Sequence, residues 1–160
     1  MKRRDFILSS LLAVCGTTLL TGCRKKEIIK AQGQVAKRKF HNLEIPLLGF
    51  GLMRLPMINS KIDMIELDKM VEYAMSHGAN YFDTAYMYVD SESENAAGKI
   101  LSNYDRKSYF LADKSPVIHM RKKEDIHRIF QEQLKNAVRT ILIFIWFITS
   151  TESHLILIVI

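Results

Sequence analysis

Beyond Cys23 the chain contains no cysteine; its two cysteines are Cys15 and Cys23. That absence excludes a disulfide, a thiolate zinc site and an iron–sulfur cluster from the rest of the chain, because each needs two or more sulfur atoms. No metal site is expected, and a redox partner built on iron–sulfur centres is excluded for this chain. An excess of positive charge is also missing from most of the sequence. The formal net charge is +6, yet residues 1–22 hold +2 and residues 24–39 hold +6, which leaves −2 for residues 40–160. The larger part is slightly acidic, so the high isoelectric point is no argument for nucleic acid as a partner. Charge is nearly absent from residues 140–160, which hold seven isoleucines and a single charged residue, Glu152.

Residues 1–22 read as an export signal. Lys2-Arg3-Arg4 is a basic start, and Ile7–Leu20 is an apolar run of 14 residues, short of the roughly 20 that a membrane span needs. Arg3-Arg4-Asp5-Phe6-Ile7 resembles the twin-arginine export motif, and Leu20-Thr21-Gly22-Cys23 resembles the lipobox of bacterial lipoproteins. That pattern implies cleavage before Cys23 and a lipid on Cys23. The expected location is then exported and membrane-anchored through this lipid, on the periplasmic or outer face of a bacterial membrane. An uncleaved apolar helix with a chance Leu-x-Gly-Cys is the competing reading. Residues 23–39 would supply the lipidated cysteine and a basic tether. Residues 24–39 have no apolar period and read as solvated. Their basic side chains would add about 1 kcal/mol each at best against anionic headgroups.

Residues 40–139 have the rhythm of a parallel α/β sheet. Residues 40–55 read as a short strand, a turn and a second strand, in which Gly49 and Gly51 allow close approach of backbone or ligand. Met64, Leu67, Met70, Val71, Ala74 and Met75 fall at helical spacing over 64–77, with Gly78 as the stop. The methionines are packing material, and His77 suits the last turn of the helix. Residues 106–114 read as a strand ending at Lys114 and stopped by Ser115-Pro116. A helix is expected over 123–138, its buried stripe being Ile126, Ile129, Phe130, Leu134 and Val138. His119 and His127 read as surface or helix-face residues.

The most informative stretch is Gly78–Leu101. Asn80-Tyr81-Phe82-Asp83 reads as a strand end, the next residues as a polar loop with Tyr86 and Tyr88, and a helix begins near Glu92. A carboxylate at a strand end, with a phenol five residues on, is an arrangement suited to chemistry. Gly78, Phe82, Asp83, Thr84, Ala85, Tyr88, Ser93, Glu94, Gly98 and Leu101 stand in the order of a known signature, ten matches in 24 residues. The stretch resembles the aldo/keto reductases, with a slightly longer spacing between Tyr88 and Ser93 than many members have.

The resemblance implies a (β/α)8 TIM barrel and hydride transfer from NADPH to a small carbonyl substrate. By position, Tyr88 would be the proton donor, Lys114 the cation that stabilises its phenolate, and Asp83 the partner holding the lysine. A free phenol titrates near 10, so a neighbouring ammonium is what makes it a useful acid. Gly51, Met53, Arg54 and Asp83 would contact the nicotinamide side of the cofactor. A barrel needs about 250 residues, so the 160 here are expected to supply an incomplete α/β barrel of the first three to four βα units.

The resemblance fails after Arg139. The family's fourth strand ends in a histidine of the catalytic set, expected near Ile148 or Thr149 and absent there; His154 lies too far along. Residues 140–160 show no helical or alternating period, and isoleucine-rich text is what AT-rich DNA yields in a wrong frame. The expectation is a divergent hydrophobic tail, frameshifted near residue 140. A terminal membrane anchor is the alternative, opposed by the polar block Thr149–His154. Roughly half a barrel leaves an open sheet edge and unburied helix faces, so the chain is expected to be neither stable nor active alone. A non-catalytic, lipid-tethered half-barrel serving as a binding or structural module is the other reading.

Overall fold

The computed structural model describes residues 25–137 and the backbone strands at 144–148 and 153–156. The export signal and Cys23 lie outside the described residues. The elements in order are β1 (Lys37–Phe40), β2 (Leu43–Pro46), β3 (Phe50–Gly51), β4 (Met57–Ile58), β5 (Lys61–Ile62), α1 (Met64–Ser76) and β6 (Tyr81–Asp83). Then come α2 (Ser93–Leu101), β7 (Phe110–Pro116), α3 (Lys123–Asn136), β8 (Phe144–Ile148) and β9 (Ser153–Ile156).

One five-stranded sheet runs β3-β6-β7-β8-β9, with β1-β2 and β4-β5 as separate hairpins. The first four strands pair in parallel, and β9 returns antiparallel to β8. Parallel neighbours require a crossover between them, and α1, α2 and α3 supply these in turn. The described sheet is open, with β3 and β9 at its edges.

The core fills the space between helices and sheet. Phe82 and Leu111 enter it from the strands, Leu67, Val71 and Met75 from α1, and Ala97, Ile100 and Leu101 from α2. Side chains alternate faces along a strand. Phe82 and Leu111 therefore turn toward the helices, while Asp83 and Lys114 stand on the opposite face.

Local chemistry sets the element ends. Asp63 caps α1, its carboxylate accepting from the N–H groups of Ile65 and Glu66 at 3.1 and 3.0 Å. Gly78 ends α1 with φ +80°, and a Cβ there would meet Gln34 Oε1 at 2.9 Å. Met70 and Ile126, expected in apolar stripes, are 37% and 41% exposed. Val138 lies outside the described residues.

Three stretches differ from expectation. Residues 25–36 are docked, not free: the N–H groups of Lys26, Ala31 and Val35 bond Asn103 O, Ser76 O and His77 O at 2.6, 2.9 and 2.8 Å. Lys26 Nζ also reaches Asp68 and Glu72 of α1 at 2.7 and 3.2 Å, and Ile28 packs on the core. One of the positive charges that read as solvated, Lys26, meets an acidic face of α1. The third long strand begins later than expected, because Asp105 caps a tight turn at Arg106–Ser108, and it runs on through Ser115 to Pro116. Residues 144–148, expected to belong to a divergent hydrophobic tail, add to the sheet beside β7, with Lys114 in register with Trp146 and Pro116 with Ile148.

Candidate active site

The residues singled out in the sequence meet at the C-terminal ends of β3, β6 and β7. Asp83 is the last residue of β6 and pairs in register with Gly51 on one side and Ala112 on the other. Lys114 lies two residues beyond Ala112, on the same face of β7. Its ammonium bonds the Asp83 carboxylate and approaches Thr84 O at 3.4 Å. The pair is half-screened from water, with Asp83 31% and Lys114 17% exposed in their side chains. Lys114 Nζ also lies 4.9 Å from the centre of the Tyr88 ring, within cation–π range. Charge, counter-charge and phenol are thus brought together across 31 residues of sequence.

The β6–α2 loop is held on both sides. Past the end of β6, Thr84 N–H donates to Ala112 O at 2.9 Å and Tyr86 N–H to Lys114 O at 3.1 Å. Val89, Asp90 and Ser91 then adopt φ of +51°, +51° and +68°, a left-handed turn uncommon for residues with a Cβ. This turn absorbs the longer spacing between Tyr88 and Ser93. It closes where Ser93 N–H donates to Tyr88 O at 3.2 Å.

Sequence reasoning placed Thr84 and Ser93 in the signature but assigned them no task. Both are fully buried. Their hydroxyls bond each other at 2.8 Å, and Ser93 Oγ donates to Leu52 O at 2.8 Å. The chain of hydroxyls therefore ties the end of β3, the end of β6 and the start of α2. Two hydroxyl residues in an otherwise apolar helix–sheet junction are the signal that could have revealed it. Tyr86 was also unassigned. It turns toward α3, donating to Glu132 Oε2 at 2.8 Å, and this bond, with burial, holds its phenol above the ordinary range.

The two glycines near β3 divide their tasks. A Cβ at Gly49 would lie 3.1 Å from the Tyr81 ring and 3.3 Å from Tyr81 O, whereas one at Gly51 would meet nothing within 4 Å. Gly49 serves packing, and Gly51 leaves open space beside Asp83. Met53 is 57% exposed, and Arg54 is exposed in the loop after β3. Neither touches the Asp83–Lys114 pair in any described contact.

The profile of the aldo/keto reductase family matches residues 47–142, which is most of the described chain. The chain belongs to the aldo/keto reductase family. Solved structures of the family share the fold. A thermostable aldo-keto reductase in complex with the inhibitor epalrestat superposes with TM-score 0.57 at 23% identity, over 68% of this chain and 40% of that one. An aldo-keto reductase from Klebsiella pneumoniae in complex with NADPH gives TM-score 0.55 at 22% identity, over 72% of this chain and 38% of that one. The holo form of an aldo-keto reductase from Bacillus halodurans gives 0.57 at 22% identity, over 71% and 40%. This reductase-family chain thus spans about two fifths of the length of the structures it matches. No curated protein sequence matches it significantly. The family match stops at residue 142, close to the point where the composition changes.

Proposed function

We propose that this chain carries the first part of an NADPH-dependent carbonyl reductase, including its proton-donating group. The single observation behind this reading is the Lys114 ammonium, bonded to Asp83 and facing the Tyr88 ring. Reduction of a carbonyl puts negative charge on its oxygen, and a phenol that gives up a proton becomes negative in turn. Asp83 fixes Lys114, and Lys114 holds positive charge where the Tyr88 phenolate forms. When bound, NADPH supplies the hydride. Gly51 offers uncovered space beside Asp83 for the nicotinamide end, and exposed Met53 and Arg54 would border it. The residues present suit that end of the cofactor; the adenosine-phosphate end is not built by any residue named here. The substrate class is a small carbonyl compound.

The reading also covers the parts that flank the barrel portion. Residues 1–22 act as the export signal, Cys23 takes the lipid, and the protein is held at the outer or periplasmic face of a bacterial membrane. Lys25 already bonds Ser102 O, and Lys26 bonds Asn103 and α1, so the described chain is attached to the folded body from Lys25 onward. Residues 140–160 are a frame-shifted continuation that lacks the fourth-strand histidine. On this account the 160-residue chain gives no carbonyl-dependent oxidation of NADPH by itself.

The test is a pair of assays with NADPH and a panel of aldehydes and ketones. The chain alone should be inactive. A chimera carrying residues 40–139, followed by the fourth strand and remainder of a related reductase, should be active. An inactive but folded and NADPH-binding chimera would count against the reading. The alternative, a non-catalytic lipid-tethered module, predicts that such a chimera folds and stays silent.

A further inference from the structure

Behind the strand end that carries Lys114 lies a second carboxyl pair that the proton-donor reading does not use. Glu94, in the first turn of α2, and Asp113, in β7, are both 0% exposed. Glu94 Oε2 accepts from Asn136 Nδ2 of α3 at 2.9 Å. Asp113 Oδ1 accepts from the Lys114 N–H at 2.7 Å. Each carboxyl keeps one buried oxygen without a donor, Glu94 Oε1 and Asp113 Oδ2. The two carboxyl groups stand within side-chain hydrogen-bonding reach of each other; two buried carboxylates there would repel each other and leave both oxygens unsatisfied, whereas one proton removes a charge and serves both. We infer that Glu94 and Asp113 share a single proton, in a bridge that ties α2 to β7 and positions Lys114.

The surroundings favour that assignment. From α3 the pair meets Gln133 and Asn136, both neutral. Gln133 Oε1 accepts from Ser115 Oγ at 2.6 Å, and its Nε2 donates to Lys114 O at 3.3 Å. The backbone of Lys114 is therefore gripped at its N–H by Asp113 and at its C=O by Gln133 and Tyr86. On the β6–α2 loop the Tyr86 phenol bonds Glu132 of α3 and also feels the charges of Arg128 and Glu94. Arg128 is engaged by Asp125 and Glu132, and Lys114 turns to Asp83 on the other face of the sheet. The β8 segment Phe144–Ile148 brings no titratable side chain. Burial first, and the charge of Glu94 second, push the Asp113 carboxyl well above the usual carboxylate range.

The bridge has a pH signature of definite sign. In the unfolded chain Asp113 titrates near 3.8; in the folded chain it keeps its proton to higher pH. The stabilisation is complete below the unfolded value and is lost as pH rises toward the folded one. Across that window the folding constant falls by up to about tenfold per pH unit from this group.

The bridge stands independently of the reductase reading; only its consequence for Lys114 rests on it. Urea denaturation of the full chain across pH is compared with Asp113→Asn, whose amide donates to Glu94 without titrating. The wild type should lose stability with rising pH relative to the variant, and its infrared spectrum at neutral pH should show a buried carboxylic acid that the variant lacks. Glu94→Gln, which donates to Asp113, should shift the wild-type transition to lower pH. Equal pH slopes, or no acid band in the folded wild type, would overturn the bridge. Failure of the Lys114 reading shows elsewhere: Lys114→Met would keep turnover in the reductase chimera while the pH slope stayed unchanged.

Discussion

Lys114 on β7 and Asp83 on β6 form an ion pair across neighbouring parallel strands, and the lysine faces the Tyr88 ring. The two residues stand on the face away from α1, α2 and α3, Asp83 at the end of β6 and Lys114 two residues before the end of β7, near the strand ends where parallel α/β folds place reacting groups. Replacing Lys114 by Met removes the charge but keeps the stem. In the chimeric enzyme, kcat should fall by about 10²-fold or more, the range set by loss of a charge stabilising a transition state, while NADPH binding persists. Fluorescence titration with the cofactor and steady-state rates separate the two effects.

The Thr84–Ser93 hydroxyl pair should prove structural. Ser93→Ala leaves Leu52 O and Thr84 Oγ1 without their buried partner. The expected loss is about 1–3 kcal/mol, read from urea denaturation. A loss below the error of that measurement would mean that water replaces the hydroxyl.

Gly78 has φ +80°, and a Cβ there would press on the tip of the Gln34 side chain at 2.9 Å. Gly78→Ala should destabilise by about 1 kcal/mol or more. Gln34→Ala in the same chain should recover the steric part of that loss but not the backbone part. Thermal melts of the single and double variants make the comparison.

The docked segment 25–36 depends partly on Lys26. Its bond to Asp68 raises the Lys26 pKa above 10.5. The sign follows: with Asp68 ionised, the contribution is present below the unfolded value of 10.5 and is lost as pH climbs through the raised one. The Lys26 side chain is 33% exposed, so the loss on Lys26→Ala should be about 1 kcal/mol at most. Faster amide exchange at Ala31 and Val35 in that variant, with α3 amides unchanged, is the expected result.

The gene itself carries a further prediction. Read in another frame beyond codon 139, it should continue as a strand ending in histidine, followed by more βα units. Resequencing and translation in all frames check this directly.

The signature stretch was legible because it combines a strand end, a loop and a helix start in one short span. Asp83, Tyr88 and Lys114 could be placed from it and from the apolar run before Lys114. The docking of residues 25–36 was not legible, since a run of basic residues reads as solvated until its partners are known. Asp68 and Glu72, four residues apart on one face of α1, were the available hint. Strand β8 was missed because a run of isoleucine and aromatic residues has the same texture in a buried strand and in a tail. Asp113 also escaped notice, although a carboxylate directly after Tyr109-Phe110-Leu111-Ala112, in a strand covered on both faces, is rarely left charged.

The most direct test of the account is Tyr88→Phe in the chimera that joins residues 40–139 to the remainder of a related reductase. The phenyl ring keeps the packing against Lys114 and lacks only the proton. The account predicts NADPH-dependent carbonyl reduction in the parent chimera and its near-complete loss in Tyr88→Phe, with cofactor affinity unchanged. Equal turnover in the two would contradict it.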